Sequence, residues 1–74
     1  MMTEEEFYKY LGRCIKKARL GRGITLEEIA LKTGLAGKRL LKIEEGSVKR
    51  IRICNIQEIA CCLNMKIYEL FEDI

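Results

Sequence analysis

A short stretch in the middle of the chain places three cations on one side of a predicted helix: Lys38, Arg39 and Lys42. Two apolar residues, Leu40 and Ile43, recur at i and i+3, and this spacing buries them on the opposite side of a helix from about residue 37 to residue 45. Cations gathered on one exposed face suit a groove lined by phosphates. This helix is therefore a candidate for nucleic-acid binding.

A second predicted helix precedes this one and meets it at a glycine. Thr25 is a typical N-cap, and Glu28, three residues later, completes a capping box. Gly34 lies where a helix of this length must end, and it can adopt the positive φ that a sharp reversal of the chain requires. Residues 25–46 are therefore predicted to form a helix-turn-helix.

The basic charge of the chain is concentrated around this unit. Residues 13–52 hold 12 Lys and Arg against four Glu, which gives the segment a charge of +8, whereas the whole chain carries +3. A basic middle segment indicates an anionic partner. Nucleic acid is favoured over a membrane, because no segment combines a wide apolar face with a basic one.

A loop with three cations follows the second helix of the unit. Residues 47–52 have no helical period and carry Lys49, Arg50 and Arg52. Loops next to groove-binding helices often lie along the phosphate backbone. We expect these cations, together with Thr25 and Lys16, to contact phosphates. For Lys16, on the outer face of the first helix, the alternative is an ordinary solvated surface.

Three further helices are predicted around the unit. Thr3 and Glu6 form another capping box, and the helix that they start ends at about Leu20. A fourth helix has an apolar face that we assign to the core: Ile53, Ile56, Ile59, Ala60 and Leu63. A short fifth helix contains Ile67, Leu70 and Phe71. With no repeat, linker or proline, the pattern predicts an all-α, compact five-helix fold in a single domain over residues 1–74.

Several classes of protein are excluded. No apolar run approaches the roughly 20 residues of a membrane span, and the acidic N-terminus lacks the regions of a signal peptide, so we expect a cytoplasmic protein. The chain has no histidine, no nucleophile beside a base and no Gly-rich phosphate loop joined to a strand. We therefore expect neither an enzyme nor a cofactor.

The cysteines do not form a metal-binding pattern. The chain has four, Cys14, Cys54, Cys61 and Cys62, without a C-x-x-C or a histidine. On a helix, adjacent Cys61 and Cys62 point about 100° apart. We expect small buried thiols and no metal site.

Five segments carry a resemblance to a known family: LGRCIKKAR (residues 11–19), TLEEIA (25–30), TGL (33–35), KIEEG (42–46) and IQEIACCLNM (56–65). As a set they resemble the lambda-repressor-like, Cro-type helix-turn-helix family, also called the XRE family, from Leu11 to about Phe71. The resemblance implies five helices, with the third in the major groove of DNA and the following loop on phosphates. It also implies a structural ion pair between Arg19 and Glu44, neither of which contacts DNA.

The resemblance also implies which residues of the third helix read bases. Lys38 and Lys42 lie one helical turn apart on the face that such proteins point at base edges, and both can donate to guanine O6 and N7. We expect these two lysines to read bases, and Arg39 to reach either a base or a phosphate. The expected function is sequence-specific binding of double-stranded DNA by a small transcriptional regulator that acts as a repressor.

The chain departs from the family pattern at four positions. Leu26 replaces a glutamine that often bonds a phosphate. Ala36 replaces the Ser or Thr that caps the recognition helix, which costs on the order of 1 kcal/mol. Gly37 has no side chain to contact a base, and Glu45 borders the phosphate path. These residues weaken the DNA-facing surface without removing its basic charge.

Partners other than DNA are also expected. A homodimer on a pseudo-palindromic site would supply base contacts that one small domain lacks. The apolar residues available for it, with ordinary core or a frayed tail as the alternative, are Tyr68, Phe71 and Ile74. The alternative function is a protein-interaction module with the same fold, such as an antitoxin or an adaptor. It is favoured by Leu26, Leu41 and Gly37 on the DNA-facing surface, although Leu41 can instead touch a thymine methyl.

Overall fold

The computed structural model describes residues 2–71, in which four α-helices are followed by one 3-10 helix. These elements are α1 (Glu4–Gly21), α2 (Leu26–Thr33), α3 (Gly37–Glu45), α4 (Ile53–Cys62) and the 3-10 helix (Ile67–Phe71). The predicted all-α class is confirmed, and the fifth predicted helix is a 3-10 helix of five residues. No helix within residues 2–71 is both long enough and apolar enough to span a membrane.

Both predicted capping boxes are present. The Thr3 hydroxyl accepts from the Glu6 amide at 3.1 Å, and the Glu6 carboxylate accepts from the Thr3 amide at 3.0 Å. Hydrogen bonds from the backbone and the side chain of Thr3 to the Glu6 carboxylate lower the pKa of Glu6. The same two bonds, each of 3.1 Å, join Thr25 and Glu28. The starts of α1 and α2 are therefore fixed by their local sequence.

An apolar core joins all five elements. Its fully buried large side chains are Leu11, Ile15, Ile29, Leu40, Ile43, Ile59 and Leu63. Leu70 brings the 3-10 helix to this core, and Leu35, in the turn between α2 and α3, packs against it. Because α3 contributes two of these buried residues, the core holds it by one face and leaves the other to solvent.

The backbones of α1 and α3 approach closely at Gly12. A Cβ atom at this position would lie 2.6 Å from the carbonyl oxygen of Glu44 and would also overlap that of Ile43. Real Cβ atoms cannot approach backbone oxygens this closely, so only glycine fits. The contact sets the distance between α1 and the end of α3.

Two predictions about α4 are wrong. Ile53, assigned to the core, is 70% exposed, because it is the first residue of the helix and the buried face begins at Ile56. Cys54 and Cys61 are exposed, whereas Cys14 is buried and Cys62 is half-buried. Cys54 and Cys61 are seven residues apart, which places both on the outer face of α4, opposite its buried residues.

The 3-10 helix is held against α1 by aromatic contacts. The Tyr10 hydroxyl donates to the Phe71 carbonyl at 3.0 Å, and the two rings stack with centroids 5.8 Å apart. The Phe7 ring lies 6.2 Å from that of Phe71. Of the residues expected at a dimer surface, Phe71 therefore packs within the protein and Tyr68 is 57% exposed. Ile74 lies outside the described residues.

Candidate nucleic-acid interface

α2 and α3 meet at a left-handed glycine. Gly34 has a φ of +77°, and its amide donates to the Ala30 carbonyl at 2.9 Å, which ends α2. The Thr33 hydroxyl donates to the Ile29 carbonyl at 2.8 Å and accepts from the Leu35 amide at 3.2 Å. These bonds satisfy polar groups of the turn locally. The predicted reversal is confirmed at the predicted residue.

Arg19 of α1 and Glu44 of α3 form an ion pair that joins α1 to the helix-turn-helix. Arg19 Nε donates to Glu44 Oε2 at 2.6 Å, and Nη2 donates to Oε1 at 3.0 Å. A third bond runs from Nη1 to the Ile24 carbonyl at 3.1 Å, so the same guanidinium also holds the loop before α2. The hydrogen bond with Glu44 raises the pKa of Arg19. Both charged groups are thus engaged within the protein, as the resemblance implies.

The outer face of α3 carries the three cations. Lys38, Arg39 and Lys42 are exposed. The two lysines lie about 6 Å apart along the helix axis, since each residue of an α-helix rises about 1.5 Å. At 100° per residue, Leu41, which is 47% exposed, flanks the lysines on one side and Arg39 flanks them on the other. Two donors in line on a convex surface can reach adjacent base edges in a major groove.

Arg39 is joined to the loop that follows α3. Its Nη2 atom donates to the Arg50 carbonyl oxygen at 3.0 Å, across eleven residues of sequence. The side chain predicted to reach a base or a phosphate is therefore in contact with the backbone of the predicted phosphate-binding loop. The two regions of the interface are physically linked at this point.

The loop itself is anchored by two apolar side chains. It begins after Gly46, where α3 ends, and the Ser47 amide donates to the Lys42 carbonyl at 3.0 Å. Val48 is buried and Ile51 is half-buried against the core. The three cations of the loop, Lys49, Arg50 and Arg52, are exposed. The core therefore fixes the backbone from which these cations project.

Lys49 lies in different electrostatic surroundings from Arg50. It lines an open groove of about 550 Å³ between the start of α1 and the loop, together with Lys9 and three carboxylates: Glu4, Glu5 and Glu45. Lys9 Nζ lies 3.4 Å from Glu5 Oε1, so Glu4 and Glu45 are the two carboxylates of the groove that Lys9 does not pair with. Nearby negative charges offset the field of a cation. The loop cations do not form one uniformly basic surface.

The other two residues assigned to phosphates occupy distinct places. The Thr25 hydroxyl donates to a Glu28 carboxylate oxygen at 3.2 Å and accepts from the Glu28 amide, so it is engaged in the cap of α2. Lys16 is exposed. It lies four residues after Gly12 and three before Arg19, both of which contact α3, so it projects from the side of α1 that borders α3.

The structure changes the interpretation of one departure from the family pattern, Leu26. It is half-buried and packs against the core, so it adds little apolar surface to the DNA-facing side. Ala36 makes no side-chain bond to cap α3, as expected, and Gly37 and Glu45 are exposed. The start of α3 therefore has no side-chain cap.

Two contacts of this region were not predicted from the sequence. One is the close approach at Gly12, for which a signal existed: a glycine inside an amphipathic helix costs about 1 kcal/mol relative to alanine, and such a residue usually has a packing reason. The other is the bond from Arg39 to the Arg50 carbonyl. No sequence pattern predicts it, because a backbone carbonyl is present at every position.

The sulfur and carboxylate groups of residues 2–71 form no cluster suited to a metal. Within residues 2–71, no three His, Cys, Asp or Glu side chains are placed to hold a metal ion. Burial raises the pKa of the Cys62 thiol, and Lys32 opposes that shift in part. A thiol with a raised pKa is protonated at neutral pH and is a poor ligand and a poor nucleophile.

Several solved structures are similar to this one. The restriction-modification controller protein C.AhdI from Aeromonas hydrophila matches with a TM-score of 0.80 and 25% sequence identity, over 88% of this chain and 97% of that chain. An HTH_3 family transcriptional regulator from Vibrio cholerae matches with a TM-score of 0.84 and 28% identity. That match covers 93% of this chain and 38% of the Vibrio chain.

One sequence-family profile matches most of the chain. No curated protein matches it in sequence. The profile of the helix-turn-helix family HTH_3 matches residues 15–70, which include α2, α3, α4 and most of α1. The chain therefore belongs to the HTH_3 family of helix-turn-helix DNA-binding regulators.

Proposed function

We propose that the protein binds double-stranded DNA in a sequence-specific manner and acts as a small transcriptional repressor in the cytoplasm. The observation that carries this proposal is the exposed face of α3. It presents Lys38 and Lys42 one turn apart, on a helix whose opposite face is locked by the core and by the Arg19–Glu44 pair. A fixed helix with cations on its free side fits the major groove.

The proposed contacts divide into two classes. Lys38 and Lys42 donate to guanine O6 and N7, which distinguishes one base pair from another. Arg50 and Arg52 contact phosphates with smaller contributions from Lys49, Thr25 and Lys16, and these contacts orient the protein without reading sequence. Thr25 contributes least among them, because its hydroxyl is engaged with Glu28.

A homodimer is part of the proposal. The nine residues of α3 make few base contacts, and two copies on a pseudo-palindrome double that number. The half-sites of such a dimer lie about one helical turn, roughly 34 Å, apart. Regulation by a protein of this size is supported by the likeness to C.AhdI, which is named a controller protein and is covered almost entirely by the match. Repression then follows from occupying a promoter.

The test is a DNA-binding titration of the purified protein at several salt concentrations, combined with a selection of bound sites from a random pool. If the protein neutralises roughly four phosphates, the slope of log affinity against log salt is about −3.6. Lys42→Ala should flatten the preference for a guanine-containing site, at a cost of about 1–3 kcal/mol there, whereas Arg50→Ala should weaken all sequences alike and reduce the slope by about one. Identical behaviour of the two variants overturns the division of roles.

A second candidate function is a protein-interaction module, favoured by Leu41. An exposed leucine on the outer face of α3 is an apolar contact for a protein partner as well as for a thymine methyl group. Such a module shows no salt-dependent affinity for DNA. A flat response in the titration above therefore rejects DNA binding and favours this alternative.

A further inference from the structure

We infer that Arg39 is a positioning residue that holds the phosphate-binding loop against the recognition helix, and not a residue that reads a base. The inference rests on the proposed function, because it assigns a role within DNA binding. It is carried by one juxtaposition: Arg39 Nη2 lies 3.0 Å from the carbonyl oxygen of Arg50. A bond from a cationic donor to a carbonyl is stronger than a neutral one.

The bond lies where it can fix the exposed part of the loop. Val48 and Ile51 anchor the loop from inside, and the two residues between them, Lys49 and Arg50, are exposed. The bond from Arg39 holds the Arg50 peptide from outside. The packing of Val48 and Ile51 and the hydrogen bond from Arg39, which we call the tether, together fix the path of the loop backbone. They therefore fix the position from which the Arg50 side chain projects.

The same bond restricts base reading. It fixes one Nη2–H group on the loop and so sets the orientation of the guanidinium plane, which leaves Arg39 less free than Lys38 or Lys42 to turn toward a base edge. While the bond is intact, the remaining N–H groups of the guanidinium stay available to a phosphate. Within residues 2–71, Lys38 and Lys42 form no such hydrogen bond, and both lie at the centre of the exposed face.

Charge gives the tether a second effect. A carbonyl oxygen is the negative end of a peptide dipole and disfavours a phosphate beside it. A guanidinium bound to that oxygen masks the dipole and adds a positive charge next to that of Arg50. The Arg39 bond therefore makes this part of the loop more favourable for the DNA backbone, whatever the base sequence.

The test compares Arg39→Met, which keeps the aliphatic length but removes the donors, with Arg39→Lys, which keeps the charge, and with Lys49→Met, which removes a neighbouring cation that does not hold the loop. Affinities are measured for a panel of duplexes that differ at single base pairs. We expect Arg39→Met to weaken every duplex by about tenfold with unchanged base preference, the effect of losing one charge-assisted hydrogen bond. Arg39→Lys should recover part of that loss, and Lys49→Met should cost less.

A double-mutant cycle identifies the route of the effect. If Arg39 acts through the loop, Arg39→Met should reduce the affinity for DNA less once the Arg50 side chain has been removed. The fold-loss of affinity in the double variant Arg39→Met/Arg50→Ala should then be smaller than the product of the two single fold-losses. Additive losses contradict the inference. A change of base preference at one position in Arg39→Met overturns it, because that result assigns a base contact to Arg39.

A measurement without DNA separates the inference from the proposed function. The NMR order parameters of the backbone amides of residues 48–52 should be lower in Arg39→Met than in the wild type and unchanged in Lys49→Met. Unchanged order parameters in Arg39→Met refute the role of this bond in holding the loop, even where DNA binding is confirmed. Lower order parameters in a protein that shows no affinity for any duplex confirm that the bond holds the loop, and overturn both the proposed function and the role of Arg39 within it.

Discussion

Arg19 and Glu44 join the end of α1 to the end of α3 through two parallel hydrogen bonds of 2.6 and 3.0 Å. Their side chains are only 12% and 3% exposed, so the pair is largely removed from water. Removal of one partner leaves the other as a buried, unpaired charge. The pair lies directly behind the proposed DNA-binding face, and its integrity determines whether that face forms.

The first prediction is that Glu44→Ala strongly destabilises the protein. The expected loss in the free energy of unfolding is about 3–5 kcal/mol, because the Arg19 guanidinium would remain buried without its partner. A core of this size supplies roughly the same amount, so the variant should be largely unfolded at room temperature. Glu45→Ala, one residue later and exposed, is the control and should change the stability by less than about 0.5 kcal/mol. Equal melting temperatures for both variants contradict the prediction.

The second prediction concerns the close approach at Gly12. Gly12→Ala introduces a Cβ atom 2.6 Å from the Glu44 carbonyl oxygen, so α1 and α3 must separate, and we expect a loss of about 1–3 kcal/mol in chemical denaturation. Gly37→Ala is the matched control, since a Cβ atom there meets nothing within 4 Å. The control should be neutral or slightly stabilising, because alanine favours a helix over glycine. A stable Gly12→Ala variant shows that the two helices tolerate separation.

The elements could be predicted from the sequence because their signals are local. Thr3 with Glu6, Thr25 with Glu28, and Gly34 each act within a few residues, and each fixes the helix end that was expected of it. What the sequence could not supply was the position of residues relative to distant neighbours. Ile53 has the right period for the core, yet it lies one turn beyond it and is exposed. Periodicity defines a face of a helix but not how far the core extends along it.

The candidate site shows the same limit. The cations were identified by residue type and spacing, and all of them are exposed. Residue type does not say what an arginine binds, and the contact of Arg39 with the Arg50 carbonyl separates it from the two lysines beside it. The groove that Lys49 shares with carboxylates of α1 likewise depends on tertiary structure, because its two sides are some 40 residues apart in the sequence.

The third prediction is a gain of stability at the start of α3. Ala36 has the extended backbone of an N-cap, with φ −65° and ψ 144°, but its side chain cannot accept a hydrogen bond. Ala36→Ser supplies that acceptor and should raise the free energy of unfolding by about 1 kcal/mol. Thr25→Ala is the converse change in α2 and should lower it by a similar amount. Thermal unfolding of both variants measures the difference, and no gain in Ala36→Ser contradicts the prediction.

The fourth prediction concerns the thiols of α4. Cys62 is half-buried and burial raises its pKa, so at pH 8 a smaller fraction of it is thiolate than in the unfolded chain. The thiolate is the reactive form, and modification of Cys62 by an alkylating reagent should therefore be slower than that of the exposed Cys54 and Cys61. Peptide mapping after brief alkylation measures the three rates. In denaturant the difference should disappear, and its persistence there contradicts an origin in the fold.

The fifth prediction distinguishes two adjacent cations of the loop. Lys49 shares its groove with Lys9 and three carboxylates, of which Glu5 pairs with Lys9 at 3.4 Å, so the charges of Glu4 and Glu45 are the ones that offset its own. Arg50 does not line this groove. Lys49→Ala should therefore reduce the affinity for DNA less than Arg50→Ala does at the same salt concentration. Glu45→Gln removes one of the opposing charges and should raise the affinity for all sequences, most clearly at low salt, where screening is weakest. An equal loss in the two cation variants, or no gain in Glu45→Gln, shows that the groove carboxylates do not influence the DNA-binding surface.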